Sequence, residues 1–274
     1  MSAIISTAKR YSIVVAGMLC LLMIIAGCGG SKGTADDTPE AAYTNGARYF
    51  EEQRYPKAIR SLQRVFEFGR VHEWADDAQF LLGRAYYEDG QYLLSSNECE
   101  RFVGLYPSDE RVEDAAYYRA MSYYQLSPDY NLDATETKRA IEYLRLYIAA
   151  YPNTEHKQDV GLRIDELQEK LALKLIQSAH VYENGGQFEA AALTFERVLA
   201  EYPATSSVDE ALFGAMHARV EYAQASIITR QAERLRAAVE VYNSLYQLFP
   251  ESPYLKDAEA LYAEVQQRLQ AVGG

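Results

Sequence analysis

The sequence predicts an all-α fold in which helical hairpins stack one after another as a right-handed α-solenoid. Three observations lead to this prediction. Aromatic–proline pairs close successive amphipathic stretches, and proline cannot continue a helix. Small residues recur at helical spacing between these pairs, and no alternating pattern typical of β-strands is evident. The four pairs are Tyr106-Pro107, Tyr151-Pro152, Tyr202-Pro203 and Phe249-Pro250.

Three of the hairpins share a spaced set of small and large residues that resembles the tetratricopeptide repeat. The small members let two helices approach closely, and the large apolar members fill the space between neighbouring hairpins. Five such hairpins are predicted, followed by a capping helix over residues 253–271. The sets are Gly46, Tyr49, Ala58 and Leu62; Gly83, Tyr86, Ser95 and Cys99; and Ala179, Tyr182, Ala191 and Phe195.

Departures from the repeat predict local differences. The insertion from Ser127 to Asp133 is expected to form an ordered loop inside the third hairpin. Residues 155–184 lack a helix breaker other than Gly161, which predicts one long fused helix. Residues 224–230 lack both glycine and proline, which predicts longer helices in the fifth hairpin.

Hydroxyl residues after three of the proline pairs predict the starts of the next helices. We expect Thr154, Thr205 and Ser252 to act as N-caps, with Pro253 at the first position of the capping helix. Serine and threonine favour the N-cap because the hydroxyl accepts a hydrogen bond from a free backbone N–H.

The amino terminus has the organisation of a secretory signal peptide. Lys9 and Arg10 precede an apolar run over residues 11–25, and Ala26-Gly27 places small residues before Cys28. This arrangement resembles the lipobox of bacterial lipoproteins, which implies a diacylglycerol and an N-acyl chain on Cys28 and no other cofactor. A transmembrane anchor is the alternative, but the run is shorter than the roughly 20 residues that a bilayer core requires.

The predicted organisation therefore has four parts. Residues 1–27 form the signal peptide, residues 28–39 a lipidated linker, residues 40–152 hairpins one to three, and residues 153–274 hairpins four and five with the capping helix. In proteobacterial lipoproteins, a residue other than aspartate after the lipidated cysteine directs export to the outer membrane. Gly29 therefore implies a lipid-anchored protein on the periplasmic face of the outer membrane.

The net charge of −12 argues against nucleic-acid binding, which requires a basic surface. It also argues against electrostatic docking to anionic lipid, so that membrane attachment is expected to come from the acyl chains. Cys99 would be the one cysteine left after signal removal and lipidation, which excludes an intrachain disulfide. We expect Cys99 to be a buried core residue.

The order of these features is similar to that of the BamD (YfiO) family, the lipoprotein subunit of the outer-membrane β-barrel assembly machine. The most specific segments are residues 117–124, the insertion, and residues 140–154. The resemblance implies a non-catalytic scaffold that binds the periplasmic domains of the barrel subunit BamA, unfolded barrel substrates and other lipoproteins of the complex. A basic residue of the family near the fifth hairpin is absent here, because Val208-Asp209-Glu210 stands in that region.

Aromatic residues on the first helices of hairpins one to three predict a groove for an extended peptide. Their rings would hold the alternate aromatic side chains of a barrel-protein C-terminus, and Arg84 would bind its carboxylate. The alternative is that these rings pack between helices, which is common for aromatic residues at helical spacing. The predicted groove consists of Tyr43, Phe50, Phe80, Arg84, Tyr87, Tyr117 and Tyr124.

A further functional prediction concerns the carboxyl-terminal half. Tyr222 and Arg230 in the fifth hairpin are candidates for binding BamA.

A Tol–Pal or peptidoglycan-type envelope scaffold is the alternative function, but such proteins usually carry an amino-terminal coiled coil. An enzyme is disfavoured because the four histidines are scattered and no GxSxG or phosphate-binding loop is present. His180 is at a groove-side position, but we interpret it as a surface residue because it lacks partner ligands in the sequence.

Overall fold

The computed structural model describes residues 37–272. Over this range the chain contains eleven α-helices, one short 3₁₀-helix at Phe66–Phe68 and no strand, which confirms the predicted all-α class and is consistent with a helical solenoid. The α-helices are α1 (Pro39–Glu51), α2 (Tyr55–Val65), α3 (Ala75–Glu88), α4 (Tyr92–Leu105), α5 (Val112–Leu126), α6 (Thr135–Ala150), α7 (Lys157–Asn184), α8 (Phe188–Glu201), α9 (Val208–Gln224), α10 (Ile228–Leu248) and α11 (Leu255–Val272).

Four helix pairs pack as predicted hairpins, α1–α2, α5–α6, α7–α8 and α9–α10, and α11 packs on α10. The close approach of Gly83 to Cys99 joins α3 and α4 as the second hairpin. By internal packing the described residues form two compact units, 37–82 and 83–272. The predicted domain boundary at residue 152 stays a prediction. Cys28 and the signal segment lie outside the described residues.

The start of α1 is determined by its sequence. The Thr38 hydroxyl accepts a hydrogen bond from the Ala41 N–H at 3.1 Å, and Pro39 occupies the first turn, where its missing N–H has no cost. The next helix packs closely on α1 at Gly46. A Cβ at Gly46 would lie 2.7 Å from Leu62, so only glycine permits this approach.

The second hairpin repeats this close contact. A Cβ at Gly83 would lie 2.7 Å from the Cys99 sulfur. Cys99 is buried, as predicted, and burial raises the pKa of its thiol to about 12. The pattern of small and large residues in the sequence therefore corresponds to closely packed helix pairs.

The insertion in the third hairpin is ordered, as predicted, because side chains of α7 hold it. Lys174 Nζ donates to the Leu132 carbonyl at 2.6 Å, and Lys170 Nζ donates to Ser127 Oγ at 2.9 Å. The single long helix predicted across residues 155–184 is also present, as α7.

The predicted N-caps are wrong. Helices α7, α9 and α11 each begin three residues after the predicted cap, which is Thr154, Thr205 or Ser252, and Pro253 precedes α11. The hydroxyls are used in tight turns instead, since Thr154 Oγ1 accepts from the His156 N–H and Ser252 Oγ from the Tyr254 N–H, both at 3.2 Å. Such local turns compete with N-capping for the same hydroxyl groups.

The fifth hairpin has the long helices that its sequence predicts, but a turn at residues 225–227 separates them without glycine or proline. Ser226 holds this turn: its hydroxyl donates to the Tyr222 carbonyl, and its own carbonyl accepts from Gln231 Nε2 at 3.0 Å. Side-chain hydrogen bonds thus satisfy backbone carbonyl groups at the end of α9, where the sequence has neither glycine nor proline.

Candidate functional site

The seven residues of the predicted groove fall in two units. Tyr43, Phe50 and Phe80 belong to residues 37–82, where their rings take part in packing. The Tyr43 ring stacks on Trp74 with centroids 5.2 Å apart, and the Phe50 ring meets Tyr55 edge-on at 5.6 Å. Phe80 is buried. These contacts leave Tyr43 and Phe50 half-buried.

In the second unit, Arg84 and Tyr87 meet the same aromatic ring. The Arg84 guanidinium lies 5.5 Å from the centroid of Tyr118, and the Tyr87 ring contacts Tyr118 edge-on at 5.2 Å. Burial raises the pKa of Tyr87. Arg84 therefore packs over an aromatic ring, which is a favourable position for a guanidinium group.

Tyr117 packs against the beginning of α7. Its ring stacks on His156 with centroids 4.0 Å apart, and its hydroxyl donates to Asp159 Oδ2 at 3.3 Å. Burial, followed by the nearby Asp159 carboxylate, raises the pKa of Tyr117 to about 12. The Tyr117 ring thus joins the third hairpin to the helix that follows it.

Tyr124 makes a second connection to α7, two turns further along α5. Its hydroxyl donates to Glu166 Oε2 at 2.6 Å, and Arg163 lies 5.1 Å from the ring centroid. Arg163 Nη1 also donates to the Tyr124 hydroxyl at 3.3 Å. The structure therefore gives Tyr117 and Tyr124 a packing role, and their role in peptide binding stays a prediction.

The two candidate partner-binding residues differ in their environment. The Tyr222 hydroxyl donates to Glu189 Oε2 at 2.6 Å, and the Arg234 guanidinium lies 3.6 Å from the Tyr222 ring centroid. Arg230 is exposed and pairs with Glu233 at 2.8 Å. Tyr222 is thus held by two neighbours, whereas the Arg230–Glu233 pair is exposed at the start of α10.

The turn beside Arg230 exposes two apolar residues that no sequence motif indicated. Ile227 is 72% exposed and Ile228 is 73% exposed. Single exposed apolar residues are common, but adjacent isoleucines beside an arginine resemble the apolar centre and charged rim of a protein interface. We call these residues, with Arg230, the α9–α10 tip.

A pocket of about 350 Å³, which no sequence motif indicated, lies between α7, α9 and the start of α11. Glu183 accepts hydrogen bonds there from His180 Nδ1 at 3.1 Å and His217 Nδ1 at 2.8 Å. Phe213 and Tyr254 stack at 5.7 Å on its apolar side. His180 is therefore one of two histidines that share a carboxylate, which its isolation in the sequence did not indicate.

Within residues 37–272, no group of three or more histidine, cysteine or acidic side chains is arranged to hold a metal ion. In the same range, none of the helices has the length and apolar character needed to cross a bilayer.

Comparison with known proteins identifies the family. The YfiO family model, described as "Outer membrane lipoprotein", matches residues 35–221. The chain belongs to this family. The resemblance of the sequence to the BamD (YfiO) family is therefore confirmed. The match covers the first four hairpins and most of α9.

Several curated relatives are similar along most of the chain. The outer membrane protein assembly factor BamD of Caulobacter vibrioides is 30% identical over 257 residues, which cover 92% of this chain and 81% of the relative. The protein of the same name from Rickettsia prowazekii is 26% identical and covers 72% and 79%, respectively. That from Neisseria meningitidis serogroup B is 22% identical and covers 81% and 84%.

A solved structure of a TPR repeats protein from Bacteroides fragilis is also similar. It is 11% identical to this chain, with a TM-score of 0.45, and the similarity covers 84% of this chain and 98% of that protein.

Proposed function

We propose that this protein is a non-catalytic, lipid-anchored assembly factor for outer-membrane barrel proteins. The observation that carries the proposal is the 30% identity to a BamD assembly factor over 92% of the chain. Lipidation of Cys28 and a periplasmic location are parts of this proposal. Cys99 is not a candidate nucleophile, because burial raises the pKa of its thiol to about 12.

The proposed carboxyl-terminal partner is a BamA-type barrel protein, bound through its periplasmic domains. The α9–α10 tip supports this assignment, because Ile227 and Ile228 place apolar area in solvent beside the Arg230 guanidinium. Burial of such an apolar centre provides most of the binding free energy in protein interfaces, and the surrounding charges orient the partners. Other lipoproteins of the assembly complex are further proposed partners.

The proposed amino-terminal substrate is the C-terminal segment of an unfolded barrel protein. Tyr117 and Tyr124 already contact α7 or the residue before it, so within residues 83–272 a bound peptide would use Arg84 and Tyr87. Arg84 and Tyr87 are the proposed carboxylate-binding and aromatic positions. Their shared neighbour Tyr118 orients both side chains.

Crosslinking in intact membranes followed by pull-down of the tagged full chain tests the partner assignment. We expect the unmodified protein to recover a large barrel protein that carries periplasmic domains. The double variant Ile227→Asp and Ile228→Asp should reduce recovery at least tenfold, since a carboxylate buried in an interface without a partner is strongly unfavourable. Both residues are exposed, so the helical circular dichroism should not change.

The matched control changes two adjacent exposed leucines of α4, Leu93→Asp and Leu94→Asp, and should retain recovery. Equal losses in both double variants would place the partner surface elsewhere. Recovery of Tol–Pal or peptidoglycan-binding proteins by the unmodified chain would instead favour the alternative scaffold function.

A further inference from the structure

The exposed face of α2 has only positive charges in a protein of net charge −12. Lys57, Arg60 and Arg64 occur at spacings of three and four residues, so they lie on one side of the helix. The opposite side is apolar and buried, with Ala58 and Leu62 fully inaccessible. No acidic residue occurs within α2, whereas α11, for comparison, alternates lysine, arginine, aspartate and glutamate along its exposed surface. We call Lys57, Arg60 and Arg64 the basic stripe.

Within residues 37–272, no carboxylate lies within ion-pair distance of Lys57 or Arg60. Arg64 pairs loosely with Glu67 at 3.8 Å and with Asp37 at 4.0 Å. Positive charge therefore remains on this surface after the local acidic residues are counted.

Further cations lie beside the stripe, around the Tyr49 ring. The guanidinium groups of Arg48 and Arg54 and the ammonium group of Lys57 lie 4.3, 5.3 and 5.8 Å from the ring centroid, respectively. The aromatic ring offsets part of the repulsion between these cations. Glu52 pairs with Arg48 and Arg54, at 2.8 and 3.0 Å, and neutralises one of the two.

Tyr49, the stripe and one carboxylate, that of Glu67, line an open depression of about 580 Å³. Its donors suit phosphate groups, because a guanidinium binds phosphate oxygens in a bidentate manner and an ammonium group binds them as a point charge. We propose that the basic stripe binds the anionic phospholipid headgroups of the membrane that anchors the protein. This proposal rests on the lipid anchor at Cys28 proposed above.

The position of the stripe along the chain favours lipid over other anionic partners. The α1–α2 hairpin follows the anchor directly, and an extended chain from Cys28 to Pro39 reaches at most roughly 40 Å. Tethering at this distance keeps the stripe at a high effective concentration near the headgroups, so weak contacts suffice. The stripe would then orient the first hairpin with its α2 face toward the bilayer.

The net negative charge of the whole chain does not oppose this contact. Screening in physiological salt limits interactions between exposed charges to about 8–10 Å. Only the face that approaches the lipid therefore determines the attraction. The net charge is an average over the chain, and this average hides a local positive surface.

Vesicle sedimentation tests the proposal with the mature chain carrying Cys28→Ser, so that the acyl chains do not dominate binding. We expect this protein to bind vesicles of phosphatidylcholine mixed with phosphatidylglycerol, to ignore pure phosphatidylcholine, and to dissociate at high salt. Each cation near the surface adds roughly fivefold to partition, so Lys57→Gln with Arg60→Gln and Arg64→Gln should lower it at least tenfold.

The matched control removes three exposed cations elsewhere, by Arg145→Gln, Arg236→Gln and Lys256→Gln, and should change partition less than twofold. Equal partition of the two triple variants, or equal binding to neutral vesicles, would overturn the proposal. Loss of binding to an acidic peptide in the stripe variant, with no dependence on anionic lipid, would also overturn it. Failure of the anchor itself would be visible separately, as an unacylated Cys28 in the mass of the native mature chain, and would not affect the vesicle result.

Discussion

The core around α5, α6 and the first half of α7 differs from the core of α8–α10 in the side chains that fill it. In the first, Tyr123 and Tyr147 are buried, and further tyrosines pack around them. In the second, alanine is the commonest buried residue and no tyrosine is buried. Tyrosine rings separate helices and require partners for their hydroxyls, whereas alanines let helices pack closely.

This difference affects how aromatic periodicity should be interpreted. In the tyrosine-rich core, Tyr117 and Tyr124 contact His156, just before α7, and Asp159 and Glu166 of α7, so their spacing reflects packing between hairpins. In the alanine-rich part, the closely packed helices leave the α9–α10 tip and the His180–His217 pocket at the surface. Candidate binding surfaces in this part are identified only from the exposure of side chains in the structure, and not from a sequence pattern.

The largest expected loss of stability comes from truncating a buried side chain in the tyrosine-rich core. Tyr147 is 2% exposed, and its hydroxyl is hydrogen-bonded to Thr154 Oγ1 at 2.6 Å. Tyr147→Ala should lower the free energy of unfolding by about 3–5 kcal/mol, because it leaves a cavity the size of a ring. Urea unfolding followed by circular dichroism measures the change.

Tyr147→Phe is the control for this variant, because it keeps the ring and removes only the hydroxyl. It should cost about 1 kcal/mol. Equal losses for the alanine and phenylalanine variants would mean that the hydrogen bond, and not the ring, stabilises this core.

Much of this architecture was predictable from local signals. Proline pairs, small residues such as Gly46 and Gly83, and the insertion at 127–133 each have a local physical consequence, and the hairpins follow them. The starts of α7 and α11 were predicted wrongly because Thr154 and Ser252 use their hydroxyls in turns, a choice that depends on tertiary neighbours such as Asp209, which accepts from Ser252 Oγ at 2.7 Å.

The candidate sites were less predictable for a similar reason. Ile227 and Ile228 continue an apolar pattern in the sequence, and only the position of the turn at 225–227 exposes them. His180 and His217 are far apart in sequence, and the packing of α7 on α9 brings both to Glu183. The spacing of the basic stripe is present in the sequence of α2, but the negative net charge of the whole chain gives no indication of it.

The alanine-rich core should be sensitive to added volume, in contrast to the tyrosine-rich core. Ala215 of α9 is fully buried, and the neighbouring Gly214 already lies so near Phe195 that a Cβ would approach the ring within 2.8 Å. Ala215→Leu should lower the free energy of unfolding by about 1–3 kcal/mol, because the helices cannot separate without losing other contacts.

The exposed Ala260 of α11 provides the matched control, and Ala260→Leu should change stability by less than about 0.5 kcal/mol. Denaturation by urea compares the two variants. If Ala215→Leu were as stable as Ala260→Leu, the alanine-rich core would contain enough free volume for a leucine, and the contrast between the two cores would fail.

The smallest expected effect concerns alkaline pH, to which the tyrosine-rich core should respond through Tyr147. Burial raises the pKa of Tyr147 from 10.0 to about 12. An acid whose pKa is higher in the folded state than in the unfolded chain contributes stability below pH 10, and this contribution is lost as the pH rises toward 12. We expect a loss of about 1 kcal/mol from this residue between pH 9 and pH 11.

Comparison with Tyr147→Phe isolates this contribution, since other tyrosines titrate in both proteins. The free energy of unfolding should fall more steeply with pH in the unmodified protein, and the two proteins should therefore approach each other in stability as the pH rises. Parallel pH dependences would mean that Tyr147 ionises without unfolding the core. The ring would then have access to water, and the dry, tyrosine-filled contact between α5, α6 and α7 would lose its defining feature.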